Sequence, residues 1–227
     1  MTDTQPPRGR LDMKKRVLPT IAVAVSALAA CSGVAIGVDD VEPKPSTSAS
    51  ASAADPGQQL EELTVAPAGS MDGYDRDKYP HWSDQGDSCD TREAVLKRDG
   101  EGVETGSDCY PTSGSWPSPY DGETWTDPSD VDIDHMVPLA NSWISGADEW
   151  TNDEREAFAN DMESKQLLAV TDNVNQSKSD QSPDQWKPPL ESYYCQYSTD
   201  WISVKHQYKL TITEAEKTAL KDMIGTC

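Results

Sequence analysis

The chain has 227 residues, with 19 Lys and Arg against 40 Asp and Glu, a formal charge of −21 and a pI near 4.3. That charge excludes a generally basic nucleic-acid coat. No apolar run reaches the ~20 residues that cross a bilayer, which excludes a multi-pass membrane protein. Hydrophobic residues make up 35%, and seven Trp and eight Tyr stand against one Phe. One modest core built from amphipathic rings is therefore expected.

Lys14, Lys15 and Arg16 precede the apolar run from Val17 to Ala30. A positive region, a short apolar stretch and small residues describe an export signal over residues 1–30 better than a membrane helix. Met13-Lys14-Lys15-Arg16 offers a second translation start. Leu28-Ala29-Ala30-Cys31-Ser32 resembles a bacterial lipobox, which implies cleavage before Cys31 and a lipid anchor on its thiol; a plain secretory signal is the alternative. The five cysteines agree with lipidation. With Cys31 acylated, Cys89, Cys109, Cys195 and Cys227 remain, an even set for an oxidising compartment. Of three pairings, Cys89–Cys109 and Cys195–Cys227 close the shortest local loops.

Residues 31–69 are rich in Pro, Ser, Ala and acid without apolar periodicity, and read as a flexible tether. The folded domain is expected over 70–227. Between 70 and 130 the chain is rich in Gly, Asp, Pro and Ser, with a helix expected from Thr91 to Arg98. Alternation of Val131 and Ile133 with Asp132 and Asp134 predicts a strand ended by Pro138. Thr151-Asn152-Asp153-Glu154 is a capping box opening a helix through about Met162. Gln166 to Val170 reads as a second strand, and Asp172 as the cap of a helix over Asn173 to Lys178. Two further helices are expected, from Glu191 to about Gln207 and from the Thr213–Glu216 capping box to Gly225.

Two polar clusters stand in order, Asp132-Ile133-Asp134-His135 and Asn173-Val174-Asn175-Gln176-Ser177-Lys178-Ser179-Asp180. Asp-rich stretches in so acidic a chain are mostly solvated surface, but the ordered pair carries more information than either cluster alone. Phosphodiester hydrolysis needs an activated water, a cation against developing charge and a donor for phosphate. His135 is the one of three histidines inside an acidic cluster, and imidazole suits proton transfer near neutral pH. Asp134 and Asn175 offer hard oxygen ligands for one divalent cation, Mg²⁺ before Mn²⁺ or Ca²⁺. Lys178 lies one helical turn beyond Asn175. Asp132, Asn173 and Asp180 are candidate supports around these ligands, and Arg92 and Lys187 candidate phosphate contacts. Because adjacent strand residues face opposite ways, Asp134 and His135 can converge only where the strand ends or twists. His81, His206 and most Trp residues read as structural.

Asp134-His135-Met136-Val137-Pro138-Leu139 resembles the D-H-x-x-P-L opening of the HNH endonucleases, and Asn175-Gln176-Ser177-Lys178-Ser179-Asp180 resembles their N-x-x-K-x-D close. Cys89-Asp90-Thr91-Arg92 upstream and Trp186-Lys187-Pro188-Pro189 downstream are similar to the flanks of exported members. The resemblance implies an α+β fold: a ββα-metal motif embedded in a mostly helical, disulfide-stabilised domain. It implies His135 as general base, Asp134 and Asn175 as metal ligands, Lys178 as a phosphate contact, and Gln166 in the place of the family's central base-orienting Asn. The expected function is metal-dependent, largely non-specific cleavage of DNA, with RNA a second substrate, by an exported monomer touching the membrane only through Cys31. The rivals are a metal-dependent cell-wall hydrolase and a non-catalytic acidic metal- or partner-binding module. The acidity opposes polyanion binding, so a local basic rim is expected from Arg155, Lys165, Lys178 and Lys187.

Overall fold

The computed structural model describes residues 55–227. The expected signal, Cys31 and most of the expected tether lie outside the described residues. Asp55 accepts a hydrogen bond from the Gly57 amide and Pro56 takes the first helical position, which opens α1 (Pro56–Glu62). Leu60 and Leu63 are buried, and Ala66 N and Ile212 N bond Ile212 O and Thr64 O. The expected tether is thus corrected over 55–69: two leucines give this stretch an apolar face that joins the core.

After a 3-10 turn at Arg76–Lys78, β1 (Asp84–Gly86) and β2 (Cys89–Asp90) form a short hairpin. Asp90 and Glu93 cap α2 (Thr91–Asp99) reciprocally. Then β3 (Glu101–Thr105), β4 (Pro111–Pro117) and β5 (Thr124–Trp125) form an antiparallel sheet, a structure that the Gly, Pro and Ser content of this stretch conceals. Gly100 ends α2 where a side chain would not fit: a Cβ there would lie 2.5 Å from the Trp116 indole nitrogen.

β6 (Val131–His135) and β7 (Leu167–Thr171) pair antiparallel in unbroken register from Val131↔Thr171 to His135↔Leu167. Between them lie α3 (Leu139–Trp143) and α4 (Asn152–Ala159), the latter capped by Thr151 and Glu154 as expected. Directly after β7 comes α5 (Asp172–Lys178), which packs on both strands. The strand, strand and helix of the expected motif are present in that order. α6 (Tyr194–Gln207) and α7 (Glu214–Ile224) close the chain and pack on each other and on α1.

Alternation along β6 divides the interior. Val131 and Ile133 join a small core with Val95, Leu96, Trp116, Leu167 and Ala169. The opposite side faces α5 and an aromatic core containing Tyr120, Tyr197 and Trp201. Cys89–Cys109 and Cys195–Cys227 are bonded, with Cα atoms 5.0 and 5.1 Å apart, the two pairs expected. The fold is α+β, with helices outweighing several small antiparallel sheets. Among the described residues no helix is long and apolar enough to cross a membrane.

Candidate active site

A cleft of about 380 Å³ opens where β6 ends against α5, lined by residues that include Arg76, Asp134, His135, Asn175, Ser179 and Asp180. Asp134 lies on the α5 side of β6 and is 5% exposed. The Tyr120 hydroxyl donates to its Oδ2 at 2.5 Å, and the Lys178 ammonium sits 2.8 Å from each of its oxygens. Burial pushes the Asp134 carboxyl up and the Lys178 ammonium down; their contact opposes both shifts. Tyr120, buried beside this carboxylate, is held well above its ordinary pKa and keeps its proton to donate.

His135 lies on the other side of the strand. Its Nε2 is 2.9 Å from the Ala159 carbonyl oxygen. A carbonyl can only accept, so Nε2 carries the hydrogen and Nδ1 keeps the lone pair. The Trp82 indole stacks on the imidazole, 5.5 Å between centroids and 12° between planes, and the His81 ring meets it edge-on. Burial, with smaller contributions from Arg76, His81 and Lys178, pushes the His135 pKa down to about 3, so the ring is neutral at physiological pH.

Asp134 and His135 project from opposite sides of β6 yet border one cleft, and Gln166 braces the chain just beyond them. Pairing stops at His135↔Leu167, and Gln166 O accepts from Met136 N at 2.7 Å. Its side chain takes a hydrogen bond from Val137 N at 3.1 Å and gives one to Val137 O at 2.8 Å. Gln166 thus anchors Met136 and Val137, the two residues that follow His135. Gln166 is fully buried, and its side-chain hydrogen bonds go to Val137 and not to the imidazole.

Asn175 donates from Nδ2 to Asp132 Oδ2 at 3.2 Å, which leaves Oδ1 as the free end of the amide. Asp132 therefore supports Asn175. The donor set fits a hard divalent cation in a limited sense: the Asn175 carbonyl and the remaining lone pairs of Asp134 are two protein oxygens, with the rest left to water and substrate. Among the described residues no three His, Cys, Asp or Glu side chains gather to hold a metal.

Other expectations are corrected. Lys178 is fully buried between Asp134 and the His135 carbonyl oxygen, 2.9 Å away, and cannot meet a phosphate. Arg92 donates to Pro128 O and Val131 O at 3.1 and 2.9 Å, which ties α2 to the start of β6. Arg155 is buried and binds the carbonyls of Lys78, Ala147 and Trp150, so it belongs to no rim. Lys187 lies over the Tyr194 ring at 5.7 Å, outside the cleft lining. Lys165 lines a different depression, with Arg98 and Asp99. Asn173 is exposed and does not line the cleft, since two helical residues carry it away from Asn175. Asp180 does line it.

Arg76, Trp82 and Tyr120 escaped the sequence reading. Each stands far from the two polar clusters in sequence, and none belongs to a spacing pattern that marks it.

An oriented imidazole, a buried carboxylate and a carboxamide thus border one cleft on a strand–strand–helix unit. Residues 91–223 match the family described as GmrSD restriction endonucleases, C-terminal domain, and the chain belongs to that family. It is also similar to an "Uncharacterized secreted protein" of Arthroderma benhamiae, 57% identical over 185 residues that cover 82% of this chain and 91% of the relative. No solved structure matches the chain.

Proposed function

We propose that this protein is an exported, metal-dependent endonuclease of HNH type that hydrolyses phosphodiester bonds in DNA, and in RNA as a second substrate, with little sequence preference. The observation that carries this reading is His135: a buried imidazole whose Nε2 is fixed on the Ala159 carbonyl, bordering one cleft with Asp134 and Asn175. Family membership supports the reaction class. Two disulfides and a relative described as secreted support export. A lipid anchor on Cys31 and action as a monomer complete the proposal.

In this mechanism His135 Nδ1 accepts a proton from the attacking water, while the Nε2–H bond to Ala159 and the Trp82 stack keep the ring from turning. Burial makes the imidazole a weak base in the free cleft. A phosphodiester entering beside it brings negative charge that favours the imidazolium, so basicity rises when substrate is present. Asp134 and Asn175 would hold one divalent cation, Mg²⁺ before Mn²⁺ or Ca²⁺, which when bound supplies charge neutralisation at the leaving oxygen. Lys178 partly neutralises Asp134, so cation affinity is expected to be modest. Tyr120 and Asp132 fix the two ligands, and Gln166 anchors the residues that follow His135.

The test is nicking of supercoiled plasmid by the full chain with Mg²⁺. Nicked circles are expected, EDTA abolishes them, and His135→Ala lowers the rate by about 10²–10⁴-fold. Cleavage that persists in EDTA, or a His135→Ala rate equal to the parent's, overturns the assignment.

A further inference from the structure

We infer that Arg76, upstream of the residues that match the family, is the phosphate-binding cation of the cleft. Among the described residues there are four arginines, and three serve the fold. Arg92 and Arg155 bind backbone carbonyls, and Arg98 binds Asp99 at 2.7 Å and the Leu167 carbonyl at 2.6 Å. Arg76 makes no side-chain hydrogen bond and no ion pair among the described residues, is exposed, and lines the cleft with His135 and Asn175. Lys178, the other cation at this site, is walled in by Asp134. A guanidinium matches the paired oxygens of a phosphodiester and cannot lose its charge.

Its backbone is placed firmly. Asp75 caps the Arg76–Lys78 turn by accepting from Asp77 N at 3.0 Å. The Lys78 carbonyl accepts from Arg155 Nε at 3.1 Å, and the buried Tyr79 hydroxyl meets Ser142 Oγ at 2.9 Å. The turn is thus fastened on its C-terminal side, while the guanidinium remains unused. In a chain of charge −21, one free arginine at the cleft gives a polyanion a local reason to approach.

The inference rests on the nuclease reading for the identity of the phosphate, and its test separates the two. A fluorescent phosphorothioate oligothymidylate, resistant to cleavage, is titrated into the full chain at fixed Ca²⁺ over a salt series. Arg76→Ala is expected to weaken binding roughly tenfold and to flatten the log K against log [salt] slope by about 0.7, the loss of one single-strand phosphate contact. Arg76→Lys is expected to keep the slope and to recover part of the affinity. Lys221→Ala, which removes the same charge from an exposed site on α7, is expected to leave the slope unchanged. All three variants are expected to melt as the parent does. No binding by the parent, an unchanged slope in Arg76→Ala, or an equal change in Lys221→Ala overturns the inference. If the Arg76 effect is found but plasmid is never nicked, the phosphate site stands and the nuclease reading falls.

Discussion

Replacing Lys178 with Met separates two roles for one residue, because a phosphate contact and a buried counter-ion predict opposite results. The Lys178 ammonium is fully buried, 2.8 Å from both oxygens of a carboxylate that is 5% exposed, and it also reaches the His135 carbonyl. Met preserves most of the side-chain volume and removes only the charge and the donors. Breaking one partner of a buried pair leaves the other charge uncompensated, which costs about 3–5 kcal/mol. For a domain of this size each kcal/mol lowers Tm by roughly 2–4 °C, so a fall of about 6–20 °C is expected. The assay is thermal and urea unfolding of the full chain in EDTA, so that no cation replaces the ammonium. Without Lys178 the Tyr120 hydrogen bond is left to oppose the desolvation that pushes the Asp134 carboxyl up, so its protonation moves to higher pH. The defect should therefore shrink as pH falls through the variant's raised Asp134 pKa. Adding Asp134→Asn should recover much of the lost stability at pH 7, since the amide needs no counter-ion. An unchanged Tm in Lys178→Met, with a flatter salt dependence of oligonucleotide binding, would refute the counter-ion role and restore the phosphate contact.

Gln166→Ala removes two buried side-chain bonds to Val137 and should lower stability by about 2–3 kcal/mol, with nicking reduced more than metal affinity; equal loss of both, by titration and plasmid assay, would argue against a positioning role. Asp132→Ala frees the Asn175 amide and should weaken divalent-cation binding roughly 10–100-fold by calorimetry without unfolding the chain. Burial pushes Asp200 up to about 6 from an ordinary 3.8, against the opposing bonds of Gln196 and Tyr193. A raised carboxyl favours folding fully below the unfolded pKa and loses that contribution as pH rises through 6, a swing on the order of 3 kcal/mol. Asp200→Asn should therefore flatten the stability–pH curve between pH 4 and 7, and a parallel-shifted curve would contradict the shift. Converting Cys195 and Cys227 to Ser opens a loop of sequence separation 32 and should lower stability by roughly 3–4 kcal/mol in denaturant unfolding.

Elements with a local signature were legible in the sequence. Capping boxes at Thr151 and Thr213 mark α4 and α7, because each depends on residues three apart. Alternation of Val131 and Ile133 with aspartates marks β6, because one face must be apolar. The five short strands before residue 130 left no such trace. They are short and mostly polar, with Val103, Trp116 and Trp125 as their few large apolar residues, and the hydrogen bonds that define them lie between segments. α1 leaves as little local trace: Leu60 and the adjoining Leu63 become a buried face only when α6 and α7 are beside them.

The sequence by itself determined which chemistry is present: an imidazole beside a carboxylate, then a carboxamide and an ammonium one helical turn apart, since covalent order and helical period are local. Tertiary structure alone decided which of these groups is available. Lys178 looks like a phosphate donor until folding buries it on Asp134, and Arg76 looks like an ordinary surface charge until folding brings it to His135. Desolvation and partner choice depend on segments distant along the chain, and no pattern within the chain encodes that distance.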